Sequence, residues 1–311
     1  MFIDFFDHPP DPVKCGLILL VCSTTNLIYI THVLIAILRV SRTSPPFLLF
    51  FCHECTIICY LLNTVCFALE ITFGKELPIS GRIWSLVMRI IVITMTLTFV
   101  AIAASRCFAV FMPLAYNKLA MKPRFFPYLC IICWTLGIIV SFAEAYAWPA
   151  DDDAFPTHNI QDMDIHPKRY DAEGAKIQWL FQSWPLLLIV SCLLLYMAAI
   201  IKLVVGKLIG AGQATQHLIT DQTRLFLICL FCYLPYLALL AFAYIVIPRM
   251  DHRWSGFVNT LLISLLSAVE PSLLFAMSKP IRTEFPGYCR TCLSRRTTVE
   301  HSGNRNGSFF T

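Results

Sequence analysis

Seven long apolar runs constrain this chain more than any other feature of its sequence. A helix needs about 20 apolar residues to cross the hydrocarbon core of a bilayer. Backbone N–H and C=O groups find no water there, so helices are the expected element. The runs cover residues 16–38, 46–69, 83–108, 126–147, 179–204, 225–247 and 257–277. The sequence therefore predicts an all-α membrane protein, a bundle of seven transmembrane helices.

The composition supports a membrane protein and argues against a soluble one. Of the 311 residues, 58% are hydrophobic and only 14% are charged. That is too little charge to cover a soluble domain of this size. The net charge of +5 does not indicate nucleic acid as a partner, because the basic residues fall in short clusters between the apolar runs. Membrane lipids are the expected surroundings.

The distribution of basic residues predicts the orientation of the bundle. With the N-terminus outside, the inner segments carry 14 Lys and Arg residues and the outer segments carry 8. Cytoplasmic segments are generally the more basic ones. We therefore expect an extracellular N-terminus over residues 1–15, a transmembrane domain over 16–277, and a cytoplasmic tail over 278–311 that begins with a short amphipathic helix.

The connection between runs four and five is long, polar and acidic. It extends from about Pro149 to Lys176 and is predicted to lie outside. Two interpretations stay open: a solvated connection, or a lid over the outer mouth of the bundle. Cysteines are almost absent from the outer segments, and most of the 14 lie within apolar runs as small hydrophobic residues. No metal site and no cofactor is expected from their spacing.

Polar side chains within the apolar runs are candidate functional residues. Charged groups are costly at membrane depth, by about 2.5–3.5 kcal/mol on insertion scales. Glu54 and Glu270 lie too far from the run ends to be explained by access to water. Either could be protonated, hydrated, paired with a cation, or bonded to His53, Asn26 or Asn63. Structural hydrogen bonding and a switching role both remain open.

Prolines inside runs six and seven indicate kinks. Pro235 and Pro271 each remove a backbone hydrogen bond from a helix. Proline is common in membrane helices, so one alone carries little weight. Two of them in the last two helices, with Glu270 beside Pro271, suit a bundle that changes shape.

A motif at the end of run three resembles that of a known receptor family. The chain there reads Ser-Arg-Cys-Phe-Ala-Val-Phe-Met-Pro-Leu-Ala-Tyr, residues 105–116. It resembles the pattern Asp/Glu-Arg-Tyr-x-Ala-Ile/Val-x-x-Pro-Leu-x-Tyr of rhodopsin-like G-protein-coupled receptors. The residues in register are Arg106, Ala109, Val110, Pro113, Leu114 and Tyr116. The resemblance implies that Arg106, Pro113, Leu114 and Tyr116 take part in G-protein coupling.

Further positions resemble the same family. Asn26 looks like its first-helix asparagine, and Trp134 like its fourth-helix tryptophan. The segment Cys232, Tyr233, Leu234, Pro235 resembles the Cys-Trp-x-Pro switch of helix six. Glu270 and Pro271 resemble the start of Asn-Pro-x-x-Tyr, a switch in helix seven. In the tail, Cys289 and Cys292 follow the expected short helix and are candidate palmitoylation sites.

Several positions depart from the family pattern. Ser105 replaces the acid that restrains the arginine, Cys107 replaces the motif's tyrosine, and Leu274 replaces the tyrosine of helix seven. Helix two lacks a clear aspartate, for which Glu54 could substitute. The cysteines for an outer disulfide are missing. Such degraded motifs look most like divergent chemosensory receptors, for example nematode serpentine receptors.

The resemblance implies a receptor rather than an enzyme. We expect a multi-pass protein of the cell membrane that binds an external small-molecule ligand and activates a heterotrimeric G protein. No nucleophile motif with a base and no Gly-rich phosphate loop indicates catalysis. The alternative is a small-solute transporter or channel that uses the intramembrane carboxylates.

Overall fold

The predicted apolar runs are helical in the structure. A computed structural model describes residues 11–75, 81–122, 124–147, 157–159, 164–166, 187–188, 190–205, 226–227, 229–231, 233–235, 237–238, 242 and 252–285. Within the seven runs, every described residue is helical apart from Pro46 and a turn at Ser267–Ala268. Five described helices are long and apolar enough to cross a membrane. The all-helical class predicted for the bundle is confirmed.

The helices follow one another in the order of the runs, with two short additional helices and with the seventh run divided into two helices. They are α1 Pro12–Ser41, α2 Phe47–Phe73, α3 Gly81–Phe111, α4 Pro113–Ala120, α5 Phe125–Ala147, α6 Val190–Val205, α7 His252–Leu266, α8 Val269–Met277 and α9 Lys279–Glu284. The described helical residues between 226 and 242 are called the sixth-run segment. The short helix α4 follows the resemblance motif, and sequence periodicity did not predict it.

The ends of the first two helices follow from local chemistry. The Asp11 side chain accepts a hydrogen bond from the Val13 N–H, and Pro12 occupies the first turn, where its missing N–H is harmless. Helix α2 ends at Gly74, whose φ of 63° is left-handed and favours glycine. A link of five residues, 42–46, returns the chain from α1 to α2.

Two glycines allow helices to approach closely. A Cβ on Gly16 of α1 would lie 2.5 Å from Thr72 Oγ1 of α2. A Cβ on Gly137 of α5 would lie 2.1 Å from Thr94 Oγ1 of α3 and 3.2 Å from its Cβ. In a membrane, the hydrophobic effect does not drive helices together, so such close packing supplies much of their attraction.

The seventh run is broken into α7 and α8. Ser267 and Ala268 form a turn, and Pro271 follows three residues after it. Proline has no N–H, so the Ser267 carbonyl loses its helical partner four residues on. The kink predicted from Pro271 therefore lies beside Glu270, in the middle of the span Trp254–Met277.

A small hairpin lies outside the helical bundle. Strand β1, Thr157–Asn159, pairs antiparallel with β2, Asp164–His166. β1 contacts α3 and β2 contacts α7. This part of the long acidic connection is therefore structured and packs against the bundle. The sequence left two interpretations of the connection open, a solvated segment and a lid.

The largest cluster of buried apolar side chains fills one half of the bundle. It joins the second half of α1, the start of α2, the second half of α3, and parts of α5, α6 and the sixth-run segment. Tyr116 of α4 and Ile281 of α9 also belong to it. This core surrounds the arginine of the resemblance motif.

Candidate functional site

Two buried polar regions lie inside the bundle. The first, the central cluster, comprises His53 and Glu54 of α2, Thr98 of α3 and Glu270 of α8. His53 Nε2 lies 3.0 Å from Glu270 Oε2, and both side chains are 1% exposed. The two atoms are at ion-pair distance but are not aligned as a regular hydrogen bond. This contact joins the second and seventh predicted spans.

The hydrogen bonds of Thr98 indicate where the protons of His53 lie. The Thr98 hydroxyl is 2.9 Å from the carbonyls of Thr94 and Met95, and 3.0 Å from His53 Nδ1. A hydroxyl has one proton, and here it is directed to the carbonyls. His53 Nδ1–H then donates to Thr98.

Glu54 is buried beside this pair. It is fully buried, and neither carboxyl oxygen has a hydrogen-bond partner among the described residues. Glu270 is its main electrostatic neighbour. A bare carboxylate would be very costly in such surroundings, so the protonated, neutral form is the stable one.

A chain of rings connects the central cluster to the other helices. The His53 ring lies 5.7 Å from Phe99 of α3, and Phe99 stacks on Tyr233 at 5.7 Å. Tyr233 contacts Tyr196 of α6 at 5.6 Å, and Tyr196 contacts Phe226 at 5.3 Å. Offset and tilted ring pairs at these distances are attractive. This aromatic chain joins α2, α3, α6 and the sixth-run segment.

Asn26 fastens the first helix to the seventh run. Its side-chain N–H donates to the Ser264 carbonyl at 2.6 Å, and the hydroxyls of Ser23 and Ser264 lie 3.0 Å apart. Ser264 lies one turn before the break at Ser267–Ala268. Asn26 therefore holds the part of the seventh run that precedes the kink, and it contacts neither Glu54 nor Glu270 through these bonds.

The second polar region, the basic end, surrounds Arg106 near the end of α3. Its guanidinium carbon lies 5.6 Å from the centre of the Phe50 ring, and Nη1 lies 3.5 Å from the Tyr116 hydroxyl. The side chain is 1% exposed, and Nε and Nη2 have no hydrogen-bond partner among the described residues. Arginine cannot lose its proton. A permanent cation is thus enclosed within the bundle.

The neighbours of Arg106 differ from those that the family pattern implies. Ser105 is buried, and its hydroxyl donates to the Ile102 carbonyl at 3.1 Å. The Tyr116 hydroxyl and the Phe50 ring take the place of an acid. Lys202 of α6 donates to the Phe111 carbonyl and lies 4.9 Å from the Phe111 ring. A cation at the end of α3 is favourable for the helix dipole.

Helix α9 packs beside the same end. Arg39 Nη1 of α1 donates to the Glu284 carbonyl at 3.3 Å. A groove of about 450 Å³ between these elements is lined by Arg39, Val40, Arg42, Thr43, Pro280, Thr283 and Glu284. The described basic residues at this end thus come from α1, α3, α4, α6 and α9.

Comparison with solved structures identifies the architecture. The crystal structure of squid rhodopsin matches with a TM-score of 0.73 over 97% of this chain and 94% of that chain, at 12% sequence identity. This chain has the rhodopsin fold. The predicted rhodopsin-like resemblance is confirmed in its fold, and with it a multi-pass membrane protein. No protein-family model and no curated protein matches the sequence.

Within the rhodopsin fold, the predicted coupling residues occupy distinct positions. Pro113 begins α4, Leu114 is 74% exposed on that helix, and Tyr116 is buried against Arg106. Tyr233 and Pro235 lie in the sixth-run segment, and Pro271 is buried beside Glu270. Cys232, Cys289 and Cys292 lie outside the described residues. The roles assigned to these residues remain predictions.

Several residues of the site were not singled out from the sequence. They are Phe50, Thr98, Phe99, Tyr196 and Lys202. Thr94, Thr98 and Ser105 recur at near-helical spacing on the side of α3 that carries Arg106, which is a signal that sequence reading could have used. The aromatic residues left no such signal, because rings are frequent throughout a chain with 24 Phe.

Proposed function

We propose that the protein is a G-protein-coupled receptor of the cell membrane for an external small-molecule signal. The observation that carries this proposal is Arg106, an enclosed cation near the C-terminal end of the third helix in a rhodopsin fold. Its Nε and Nη2 have no acceptor among the described residues, so an acceptor offered from outside the bundle would gain strong, charge-assisted hydrogen bonds. The basic end would then face the cytoplasm, as the distribution of Lys and Arg predicts.

The proposed mechanism is a shift between two arrangements of the bundle. A ligand activates only if it binds the open arrangement better than the closed one. The sixth-run segment, which contains Tyr233 and Pro235, would move away from α3 and uncover Arg106. A heterotrimeric G protein would then contact Arg106 and the exposed apolar side chain of Leu114 on α4. The divergent, chemosensory type of receptor remains part of this proposal.

The test measures nucleotide exchange on a panel of purified heterotrimeric G proteins. Full-length protein in nanodiscs is compared with Arg106→Ala at equal amounts of folded protein. Arg124→Ala is the matched control, because Arg124 is also basic, lies at the start of α5 and is exposed. We expect Arg106→Ala to remove exchange and Arg124→Ala to preserve it. Unchanged exchange in Arg106→Ala would refute the assigned role.

The transporter or channel alternative depends on the same buried carboxylates. Glu54 and Glu270 lie within one closed cluster with His53, and each is at most 1% exposed. Among the described residues, the two carboxyl groups lie side by side and are not spaced along a route across the bundle. Flux or current through the purified protein in liposomes without G protein would favour this alternative over the receptor.

A further inference from the structure

Thiols from two helices meet where α2 and α5 begin. Cys52 and Cys130 each lie in the second turn of their helix, α2 and α5 respectively. The two helices pack against each other, and the two thiols are hydrogen-bonding neighbours. Phe50, whose ring contacts Arg106, stands in the same part of α2. The pair of thiols therefore lies at the level of the basic end.

Contacts from both helices hold the two sulfurs in place. The Cys130 thiol donates to the Leu48 carbonyl across 3.8 Å, and Leu48 lies one turn before Cys52 on α2. On α5, Trp134 lies one turn after Cys130, and its indole N–H is hydrogen-bonded to the Cys52 sulfur. Each thiol is thus positioned by the helix opposite to its own, and the two sulfurs face each other.

Other thiols in this region are less suited to a bond with either member of the pair. Cys55 follows Cys52 by three residues on α2, and Cys133 follows Cys130 by three residues on α5. Side chains three apart on a helix have Cβ atoms about 5–6 Å apart. A disulfide requires about 3.5–4.5 Å between Cβ atoms. Cys133 is an electrostatic neighbour of Cys52, whereas Cys130 is at hydrogen-bonding distance from it.

We propose that Cys52 and Cys130 form a redox site, which a hydroperoxide oxidises to a disulfide between α2 and α5. Cys130 is partly exposed, and the nearby Tyr128 and Ile131 are more than half exposed, so this side of α5 faces lipid. Cys52 is only 6% exposed. An uncharged hydroperoxide that enters the bilayer therefore meets Cys130 first. The proposal does not depend on the proposed function.

The reaction proceeds in two balanced steps. The Cys130 sulfur attacks one oxygen of the hydroperoxide, the O–O bond breaks, and the thiol proton passes to the other oxygen. Cys130 becomes a sulfenic acid, and the hydroperoxide becomes an alcohol, or water where it is hydrogen peroxide. The Cys52 sulfur then attacks the sulfenic sulfur, the S–O bond breaks, and the second thiol proton leaves with the hydroxyl group as water. The thiols lose two electrons and the hydroperoxide gains them.

A disulfide suits these surroundings better than a metal complex does. Cysteines bind metal ions as thiolates, so two of them around a soft monovalent cation would leave a net negative charge among apolar side chains. Such a charge is costly there, whereas a disulfide is neutral and has no donor to satisfy. Within the part of the chain that the structure describes, no group of three or more His, Cys, Asp or Glu side chains could hold a metal ion.

The first test maps disulfides by mass spectrometry in the full-length protein, with one copy in each nanodisc. Reduced protein is treated with hydrogen peroxide, the remaining thiols are blocked, and the peptides are compared. We expect two peptides joined through Cys52 and Cys130. The link should be absent from Cys130→Ala and retained in Cys133→Ala, the matched control on the same helix. A link from Cys52 to Cys133, or oxidation that stops at a sulfur acid without a link, overturns the proposal.

The second test compares two sources of hydroperoxide. One arm adds hydrogen peroxide to the water around nanodiscs of saturated lipid, and the other uses nanodiscs that contain a lipid hydroperoxide. A link in either arm supports the proposal and identifies the side from which the oxidant arrives, and no link in both arms overturns it.

If Cys130→Ala does not fold, the thermal unfolding of the unmodified protein decides. A cross-link between α2 and α5 restricts the unfolded chain, so oxidation should raise the unfolding midpoint and a reductant should reverse the rise. A midpoint that does not rise, or a rise that the reductant does not reverse, contradicts a disulfide at this site. None of these measurements requires a G protein.

Discussion

The central cluster and the basic end solve the same physical problem in different ways. Both bury ionisable side chains at 1% exposure or less. In the central cluster, two carboxyl groups lie beside an imidazole, which contacts Glu270 and the Thr98 hydroxyl. At the basic end, Arg106 cannot give up its proton and contacts the Phe50 ring and the Tyr116 hydroxyl.

This difference indicates which of the two regions can form new hydrogen bonds with a partner protein. Each buried donor without an acceptor costs about 1–3 kcal/mol, and among the described residues Nε and Nη2 of Arg106 have no acceptor. A desolvated cation–π contact returns about 2 kcal/mol. An external acceptor at the basic end would therefore pair donors that have no acceptor among the described residues. The polar groups of the central cluster contact one another inside the bundle.

Glu270→Leu should give the largest effect. It leaves His53 Nε2 buried without a partner, so we expect a loss of about 3 kcal/mol in unfolding free energy. The double change of His53→Leu with Glu270→Leu should cost less than the sum of the single changes, because the pair is removed together. Unfolding is measured in mixed micelles. Glu284→Leu at an exposed position is the control, and strict additivity would show that the two groups do not interact.

Much of the fold followed from the sequence for a clear physical reason. A bilayer imposes a fixed length of apolar helix, so the runs at 16–38 and 83–108 could only be spans. The helix α4 and the hairpin β1–β2 lie outside that constraint. Their backbones can bond to water or to each other, and hydropathy therefore does not report them.

The site was only partly predictable. The cost of a carboxyl group within a span singled out Glu54 and Glu270, and the spacing around Pro113 singled out Arg106. Which groups meet depends on the rotation of each helix and on contacts between residues far apart in sequence. The 3.0 Å approach of His53 to Glu270 joins residues more than 200 positions apart. Sequence reading left His53, Asn26 and Asn63 as equal candidates for these carboxyl groups.

Gly137→Ala should give the second largest effect on stability. It also tests whether the central cluster and the basic end both depend on the position of α3. The new methyl group would meet Thr94 Oγ1 and Cβ, so α3 or α5 must shift at a cost of about 1–3 kcal/mol. Thr98 and Arg106 both lie on α3, so stability and basal G-protein exchange should change together. Addition of Thr94→Ala should restore part of the stability. Leu136→Ala on the exposed side of α5 is the control.

Ser105→Asp should lower basal nucleotide exchange on the G protein. It would make the basic end more like the central cluster, because Arg106 would gain a polar partner within the bundle. A carboxylate next to Arg106 could accept from its unused donors, and hydrogen bonds to charged groups contribute about 1.5–3 kcal/mol. We expect basal G-protein exchange to fall by about tenfold or more. Ser105→Asn, which has the same shape without the charge, should have a smaller effect. Equal exchange in Ser105→Asp and the unmodified protein would count against a restraint on Arg106.

Tyr116→Phe should give the smallest effect and tests the restraint that is present in the natural chain. The change removes only the hydroxyl, which lies at the outer limit of hydrogen bonding to Arg106 at 3.5 Å. The ring remains, with its edge contact to Phe108. If the resting arrangement loses about 0.5–1 kcal/mol, basal exchange should rise about twofold to fivefold.

The size of this rise in basal exchange shows how much of the restraint on Arg106 comes from Tyr116 and how much from Phe50. Phe50→Leu removes the cation–π contact and keeps the Tyr116 hydroxyl, so the two variants divide the restraint between ring and hydroxyl. Tyr29→Phe, which deletes a hydroxyl 3.1 Å from that of Ser272 and away from Arg106, should leave basal exchange unchanged. A fall in exchange in Tyr116→Phe would mean that the hydroxyl stabilises the open arrangement. The basic end would then resemble the central cluster, with its polar groups matched only to each other.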